Sequence, residues 1–284
     1  IFHWKEPDAT FVSNLVVGIM KKDQDFTTPI HISKNVVGCG PYKIKEKTLN
    51  EIVLVKNKFY PHPSVDNKII IRHVKEENTR FAKLLKGELD LVQNGLSPEN
   101  MLSLGKYPNL FKSQTSGLKT AYIGFNFRDK ILRNVEVRQA LSMAINKDAI
   151  IEKIMHNMAE KASSLLPETH PYFSNKTSEW TFDQEKAAQL LDKAGFKVNP
   201  IGKRFDLNIK LSYTPTRMAI AKAIQENLRS IGINLTITSL EWGKFKRDVE
   251  QGLVQMWLLQ WVGFKDPDIF RYAYSSESIP PNGA

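Results

Sequence analysis

Residues 207–238 read LNIKLSYTPTRMAIAKAIQENLRSIGINLTIT, and this stretch decides the fold. Leu207, Ile209 and Leu211 alternate with Asn208 and Lys210, the period of two that marks a half-buried strand. Pro215 opens a helix at the one place where a missing N–H costs nothing. Ile220, Ile224, Leu228 and Ile231 then fall on one face, and Gly232 ends it. Ile233, Leu235 and Ile237 alternate with Asn234, Thr236 and Thr238, a second strand with one wet face. Strand, helix, strand is an α/β pattern.

Working outward, Asp183 caps a helix over 184–194, with Ala187, Leu190, Leu191 and Ala194 at helical spacing and Gly195 as the stop. Before it, residues 162–182 carry Pro167 and Pro171 and few periodic apolar positions, so they read as a long loop lying over the surface or lining a cleft. Asn134 and Asn146 each precede a helix, the first over 135–145, the second with Ile150, Ile151 and Ile154 on one side. Residues 121–127 form a strand. On the other flank a short helix over 242–250 leads to an apolar strand over 254–260, and the sequence then ends in Pro280-Pro281-Asn282-Gly283-Ala284 with no closing element expected.

The first third has a different texture. Residues 11–20 are an apolar segment able to form a short helix. Strand-like runs follow at Ile44, 52–55 and 69–74, separated by Asn50-Glu51 and Pro61-His62-Pro63. A helix over 79–85 stopped by Gly87, with 89–92 extended after it, predicts another strand, helix, strand unit, and Ser97-Pro98-Glu99 opens one more helix. The boundary between two lobes is expected at 123–130.

Composition narrows the class. A chain of 284 residues suits two lobes, since domains run to roughly 100–200 residues. With 42% apolar and 25% charged residues it is an ordinary globular chain, neither collagen-like nor disordered. The longest uncharged stretch, 251–264, has fourteen residues, short of the roughly 18–20 a membrane-spanning helix needs. The net charge of +10 is spread along the chain without a basic run, so nucleic acid is not the expected partner. Cys39 is the single cysteine, which excludes an intrachain disulfide framework and a Cys-rich zinc site. The first residues lack the order of a secretory signal, so either the chain is intracellular or its export signal lies outside this stretch.

Catalytic chemistry finds little support. Cys39, between two glycines, reads as a small residue in a tight turn. The six histidines show no ligand spacing, and Asp266-Pro267-Asp268 reads as a capped turn. Without a phosphate loop, a nucleophile elbow or paired catalytic carboxylates, neither an enzyme nor a cofactor is expected. What stands out is Trp257-Leu258-Leu259-Gln260-Trp261-Val262-Gly263-Phe264: a strand running into an aromatic, glycine-bearing turn offers flat walls and backbone groups to a ligand at its carboxyl end.

Several segments together resemble the family 5 extracellular solute-binding proteins, which include the oligopeptide-, dipeptide- and nickel-binding components of ABC importers. They are Gly38-Cys39-Gly40-Pro41-Tyr42-Lys43, Phe59-Tyr60, Ile123-Gly124-Phe125-Asn126, the run from Val137 through Arg138-Gln139-Ala140-Leu141 to Asn146-Lys147, and Trp261 with Asp266-Pro267-Asp268-Ile269-Phe270. The likeness runs in order from about residue 2 to residue 284. It implies an α/β, two-lobed, periplasmic-binding-protein-like fold of type II, incomplete at both ends, because members are roughly twice as long. Residues 1–35 would then end an accessory connection, 36–122 supply part of lobe I and 123–284 most of lobe II, with the crossing at 122–127.

The resemblance also implies a periplasmic or membrane-tethered lipoprotein, monomeric, that closes on a peptide or small solute and hands it to an ABC permease in the inner membrane. Trp261 matches the tryptophan beside the ligand, Val262 and Gly263 match positions that offer backbone contacts, and Phe264 and Lys265 complete the candidate ligand-binding set. Two departures matter. Where many peptide binders carry an Asp for the peptide's amino group, this sequence runs Gly263-Phe264-Lys265, one residue shorter before Asp266. Where dipeptide-type members set an Arg before the Tyr-x-Pro turn, Leu211 precedes Tyr213-Thr214-Pro215. Losing both removes contacts worth about 1.5–3 kcal/mol each, so a dipeptide-specific site is disfavoured. Lys265 either meets an anionic group or stays solvated. Peptide capture is the leading expectation, with a metal chelate or other small solute, or a binding module that no longer transports, as the alternatives.

Overall fold

The computed structural model describes residues 38–62, 66–176, 180–263 and 266–279; the short helix expected within 11–20 lies outside them. The chain forms two compact units that divide between Leu96 and Ser97.

In the first unit, β1 (Tyr42–Lys47), β2 (Glu51–Lys56) and β3 (Lys68–Arg72) make an antiparallel meander in that order. The β1–β2 turn is closed by Thr48, whose N–H donates to Glu51 O at 2.8 Å and whose hydroxyl accepts from Glu51 N–H at 3.0 Å. Asn57 donates its backbone N–H to Pro41 O and its side-chain amide to Gly40 O, both at 2.9 Å, so the glycine-rich turn around the exposed Cys39 is pinned to the end of β2. α1 (Glu77–Leu85) follows as expected.

The extended run expected at 89–92 does not join the sheet. Leu91 is exposed, Asn94 turns with φ 54°, and Arg80 grips Gly95 O through Nε (3.0 Å) and Nη2 (2.6 Å), bending the chain back toward α1. Among its described residues this unit is therefore a meander and a helix, not a strand, helix, strand repeat.

The second unit opens with α2 (Pro98–Ser103), where Ser97 Oγ accepts from Asn100 N–H, and a single 3-10 turn at Leu104–Lys106. Its sheet contains β4 (Lys119–Phe125), β5 (Phe205–Ser212), β6 (Ile233–Leu240) and β7 (Met256–Val262) in the order β4-β7-β5-β6. β5 runs parallel to both β6 and β7, and β4 is antiparallel to β7. The chain goes from β5 through α6 (Pro215–Arg229) to β6, then through α7 (Trp242–Glu250) past β5 to β7, so the strand order reverses between β5 and β7. The crossing expected at 122–127 falls on β4, which pairs with β7 along its whole length.

Helix starts follow their cap residues. Asn134 accepts from Glu136 and Val137 N–H at the head of α3 (Val135–Ala144), Asn146 from Ala149 N–H at α4 (Lys147–Lys153), Asp183 from Lys186 N–H at α5 (Gln184–Lys193), and Thr214 from Arg217 N–H at α6. One face of the sheet, with Leu207, Ile209, Leu211, Ile233, Leu235, Met256 and Leu258, forms the core with Val137, Leu141, Met143, Leu191, Ile224 and Leu228 from α3, α5 and α6.

On the other face, Lys210 sits opposite Trp257 and ion-pairs with Asp248 of α7 at 2.7 Å, and Phe245 of α7 is almost wholly buried. β7 starts at Met256, two residues later than the strand expected over 254–260, and Asn126 ends β4: its side-chain amide donates to Gly252 O at 3.1 Å and Val254 O at 2.8 Å, and its N–H to Gln255 O at 2.8 Å. Past β7 lie two short elements that no sequence signal predicts, α8 (Ile269–Tyr274) and a 3-10 turn at Ser276–Ser278. Asp268 N–H donates to Asp266 Oδ1 at 2.8 Å, and Asp268 pairs with Arg271 at the same distance, so the Asp-Pro-Asp turn leads directly into this helix.

Candidate functional site

In an antiparallel pair, residues opposite each other point to the same side. Thr120 faces Trp261, Tyr122 faces Leu259 and Gly124 faces Trp257, so these six share the sheet face turned away from the core. Gly124 is what makes room for Trp257: a Cβ there would lie 2.0 Å from Trp257 Cε2, so the indole occupies the room a side chain would take.

Trp261 stacks on Tyr122 with ring centroids 5.9 Å apart and planes 13° from parallel, and meets Tyr272 of α8 edge-on at 6.0 Å. Burial raises the Tyr122 hydroxyl above its usual pKa, against an opposing pull from the Trp257 side chain, so it stays a neutral donor and acceptor. The result is an aromatic ledge at the carboxyl end of β7.

Leu165 and Leu166, from the loop expected over 162–182, line this ledge. Thr120 Oγ1 donates to Leu165 O at 2.9 Å in a buried contact, and Leu165 and Leu166 are buried in a small cluster with Trp261, Ile269 and Ala273. His170, also buried, accepts the Tyr172 N–H on Nδ1 at 3.2 Å and holds the next turn of the loop.

Of the residues expected at the site, Trp261 is half-buried in the ledge, the Val262 side chain is 64% exposed, and Gly263 turns with φ 74°. The Gly263 N–H is already donated to Leu118 O at 2.8 Å, which leaves its carbonyl as the group to meet a ligand. Phe264 and Lys265 lie outside the described residues.

Three contributors had no signal strong enough to single them out. Tyr122 becomes part of the site only through its register with β7, α8 brings Tyr272, and the first turn of α6 brings Arg217 to the carboxyl end of β5. Beyond the Lys210–Trp257 pair the β5–β7 ladder stops, although both strands continue, and we read the unpaired strand ends, Ser212 on one side and Leu259 to Val262 on the other, as a candidate crevice. That crevice lies outside the carboxyl ends of parallel strands where the strand order reverses, the usual place for a ligand in an open α/β sheet.

Two shallow concavities lie elsewhere, one along α1 and one lined by Asn126, Asp129, Lys210 and Gln255, whose polar groups are already engaged with one another and with the backbone. Among the described residues no group of three or more His, Cys, Asp or Glu is placed to hold a metal, and no helix is long and apolar enough to cross a membrane.

A mixed α/β sheet with its strand order reversed beside an aromatic ledge defines a binding lobe of the type II periplasmic-binding-protein fold. The chain belongs to the bacterial extracellular solute-binding proteins, family 5, whose description matches residues 1–281. It is 26% identical to the dipeptide-binding protein of Escherichia coli K12 over 276 residues, 93% of this chain and 51% of that protein. It is similar to the Helicobacter pylori periplasmic binding protein DppA in complex with the peptide STSA, with TM-score 0.74 and 29% identity over 88% of this chain and 48% of that one. NikA from Brucella suis, in complex with Fe(III)-EDTA, shares the fold, with TM-score 0.77 and 24% identity over 85% of this chain and 51% of that one. The chain spans about half the length of the curated relatives it matches. Its family consists of substrate-binding proteins of transporters rather than enzymes.

Proposed function

We propose that this chain is part of the extracytoplasmic receptor of an ABC importer, periplasmic or lipid-tethered, which captures peptides by closing on them and delivers them to a membrane permease. In this reading residues 1–35 come from an accessory region, 36–122 from lobe I and 123–284 from lobe II, with β4 as the crossing strand. The observation that carries it is the ledge of Trp261, Tyr122 and Tyr272 beside the open β5–β7 crevice. An extended peptide can lie along strand ends there, held by backbone hydrogen bonds, while its side chains occupy water-filled space without strict selection. Closure needs only that the ligand touch the closed state better than the open one.

A second reading, a metal chelate or other small solute, is favoured by Leu211. That side chain is fully buried in the core, so the position that carries a carboxylate-binding Arg in dipeptide-type members does not even face the crevice. Native mass spectrometry of the intact protein, purified without refolding, separates the two. Peptide capture predicts a ladder of bound peptide masses; one discrete non-peptide species would replace it with the chelate or small-solute reading.

A further inference from the structure

With Leu211 turned into the core, alternation along β5 puts Ser212 on the face that Lys210 shares with Trp257. Ser212 is itself buried, and it receives a cation: Arg217 Nη1 donates to its carbonyl at 2.5 Å and to its hydroxyl at 2.6 Å. Arg217 stands in the first turn of α6, its own N–H on Thr214 Oγ1 at 3.1 Å, so the 213–215 turn folds the guanidinium back over the end of β5.

Several basic side chains of this unit have carboxylates: Arg204 pairs with Asp192, Lys210 with Asp248, Arg229 with Glu226 and Arg271 with Asp268. Arg138, which like Arg217 donates Nη1 to backbone carbonyls, lies over the Phe127 ring instead. Among the described residues no acidic side chain pairs with Arg217, although it is half-buried. Burial without a counter-charge holds its pKa below the usual arginine value, an imbalance that a bound anion reverses. Nη1 is committed to Ser212, and the edge formed by Nε and Nη2, the geometry that takes a carboxylate with two parallel hydrogen bonds, makes no hydrogen bond or ion pair within the described residues.

We propose that Arg217 is the anion anchor of this binding site, taking a carboxylate of the bound solute on its Nε and Nη2 edge, with Ser212 as the positioning residue that fixes the guanidinium. It supplies from α6 the charge that the sequence lacks at Leu211. The inference rests on the reading of the crevice as the ligand site and goes beyond it by naming the chemistry the solute must carry.

Calorimetric titration of the intact protein with tri-alanine and with tri-alanine carboxamide tests it, comparing wild type with Arg217→Gln and Arg217→Lys. The wild type is expected to bind the acid about 10- to 100-fold tighter than the amide, the range of a charge-assisted pair. Arg217→Gln is expected to lose that acid-over-amide factor, so that the two peptides bind with nearly equal affinity, a pattern that a merely structural arginine does not produce. Arg217→Lys, which keeps the charge without the fork and guards against a folding defect, falls between.

Full acid-over-amide preference in Arg217→Gln, or none in the wild type, overturns the anchor and leaves the peptide receptor standing. If the wild type ignores both peptides but binds Fe(III)-EDTA, a polycarboxylate, the peptide reading falls, and the anchor stands only if Arg217→Gln loses that binding by the same factor. Binding of none of the three overturns both.

Discussion

Replacing Trp261 by alanine is expected to weaken tri-alanine binding by the intact protein about 30-fold or more, the effect of removing a central aromatic contact at a binding surface. The indole supplies the flat wall of the ledge, and nothing behind it takes over: Leu165, Leu166, Ile269 and Ala273 are the groups that its loss would uncover. The same substitution removes ring contacts with Tyr122 and Tyr272, each worth about 0.5–1.5 kcal/mol, so the melting temperature should fall by several degrees as well. Trp261→Phe separates the two effects, since it keeps an aromatic face on Tyr122 and should recover most of the stability and part of the affinity. Titration calorimetry and thermal unfolding check both. An alanine variant that binds as tightly as wild type would place the ligand elsewhere.

The largest effect on stability is expected at Gly124. A methyl group there would sit within 2.0–2.5 Å of three atoms of the Trp257 indole, closer than any non-bonded contact allows, and the obstacle is a large ring on a paired strand rather than a flexible tip. Gly124→Val must expel Trp257 or separate β4 from β7. The expected cost is about 3 kcal/mol, the upper end for overpacking a well-filled site, read as a shift of the urea midpoint at unchanged slope. Combining Gly124→Val with Trp257→Ala should cost less than the sum of the two singles, because the cavity made by one receives the side chain added by the other. Additive costs would mean that Trp257 does not rest on Gly124.

The second unit is legible in its sequence because each local signal agrees with the packing. The alternation of Leu207, Ile209 and Leu211, the helical spacing through Ile224 and Leu228, the helix start at Pro215 and the caps at Asn134, Asn146 and Asp183 all appear where the residues predict them. Much of what makes the chain recognisable is architectural: Val137, Ala140 and Leu141 are buried in the core, Asn146 caps a helix, and Asn126 ties the end of β4 to the start of β7.

The misreadings have separate causes. Leu89 to Val92 has strand composition, yet whether it pairs depends on where the Gly95 carbonyl is held, and Arg80 decides that from fifteen residues away. Helix α8 leaves no sequence signal because IFRYAY has only six residues, too short for a helical period to show. At the site, Trp261 could be found from its own neighbourhood, whereas Tyr122 and Arg217 could not. The first depends on strand register, and the second on a turn that carries a helical side chain back to the strand before it.

Hydrogen exchange of the intact protein, with and without saturating tri-alanine, tests the central claim that a solute is held at the carboxyl ends of β5 and β7. The account predicts ligand-dependent slowing at residues 257–263, 118–122 and 212–217, with the outer strand β6 unchanged over Ile233 to Ile237. Slowing confined to other parts of the chain, with these three segments exchanging at the same rate whether or not the peptide is bound, would contradict it.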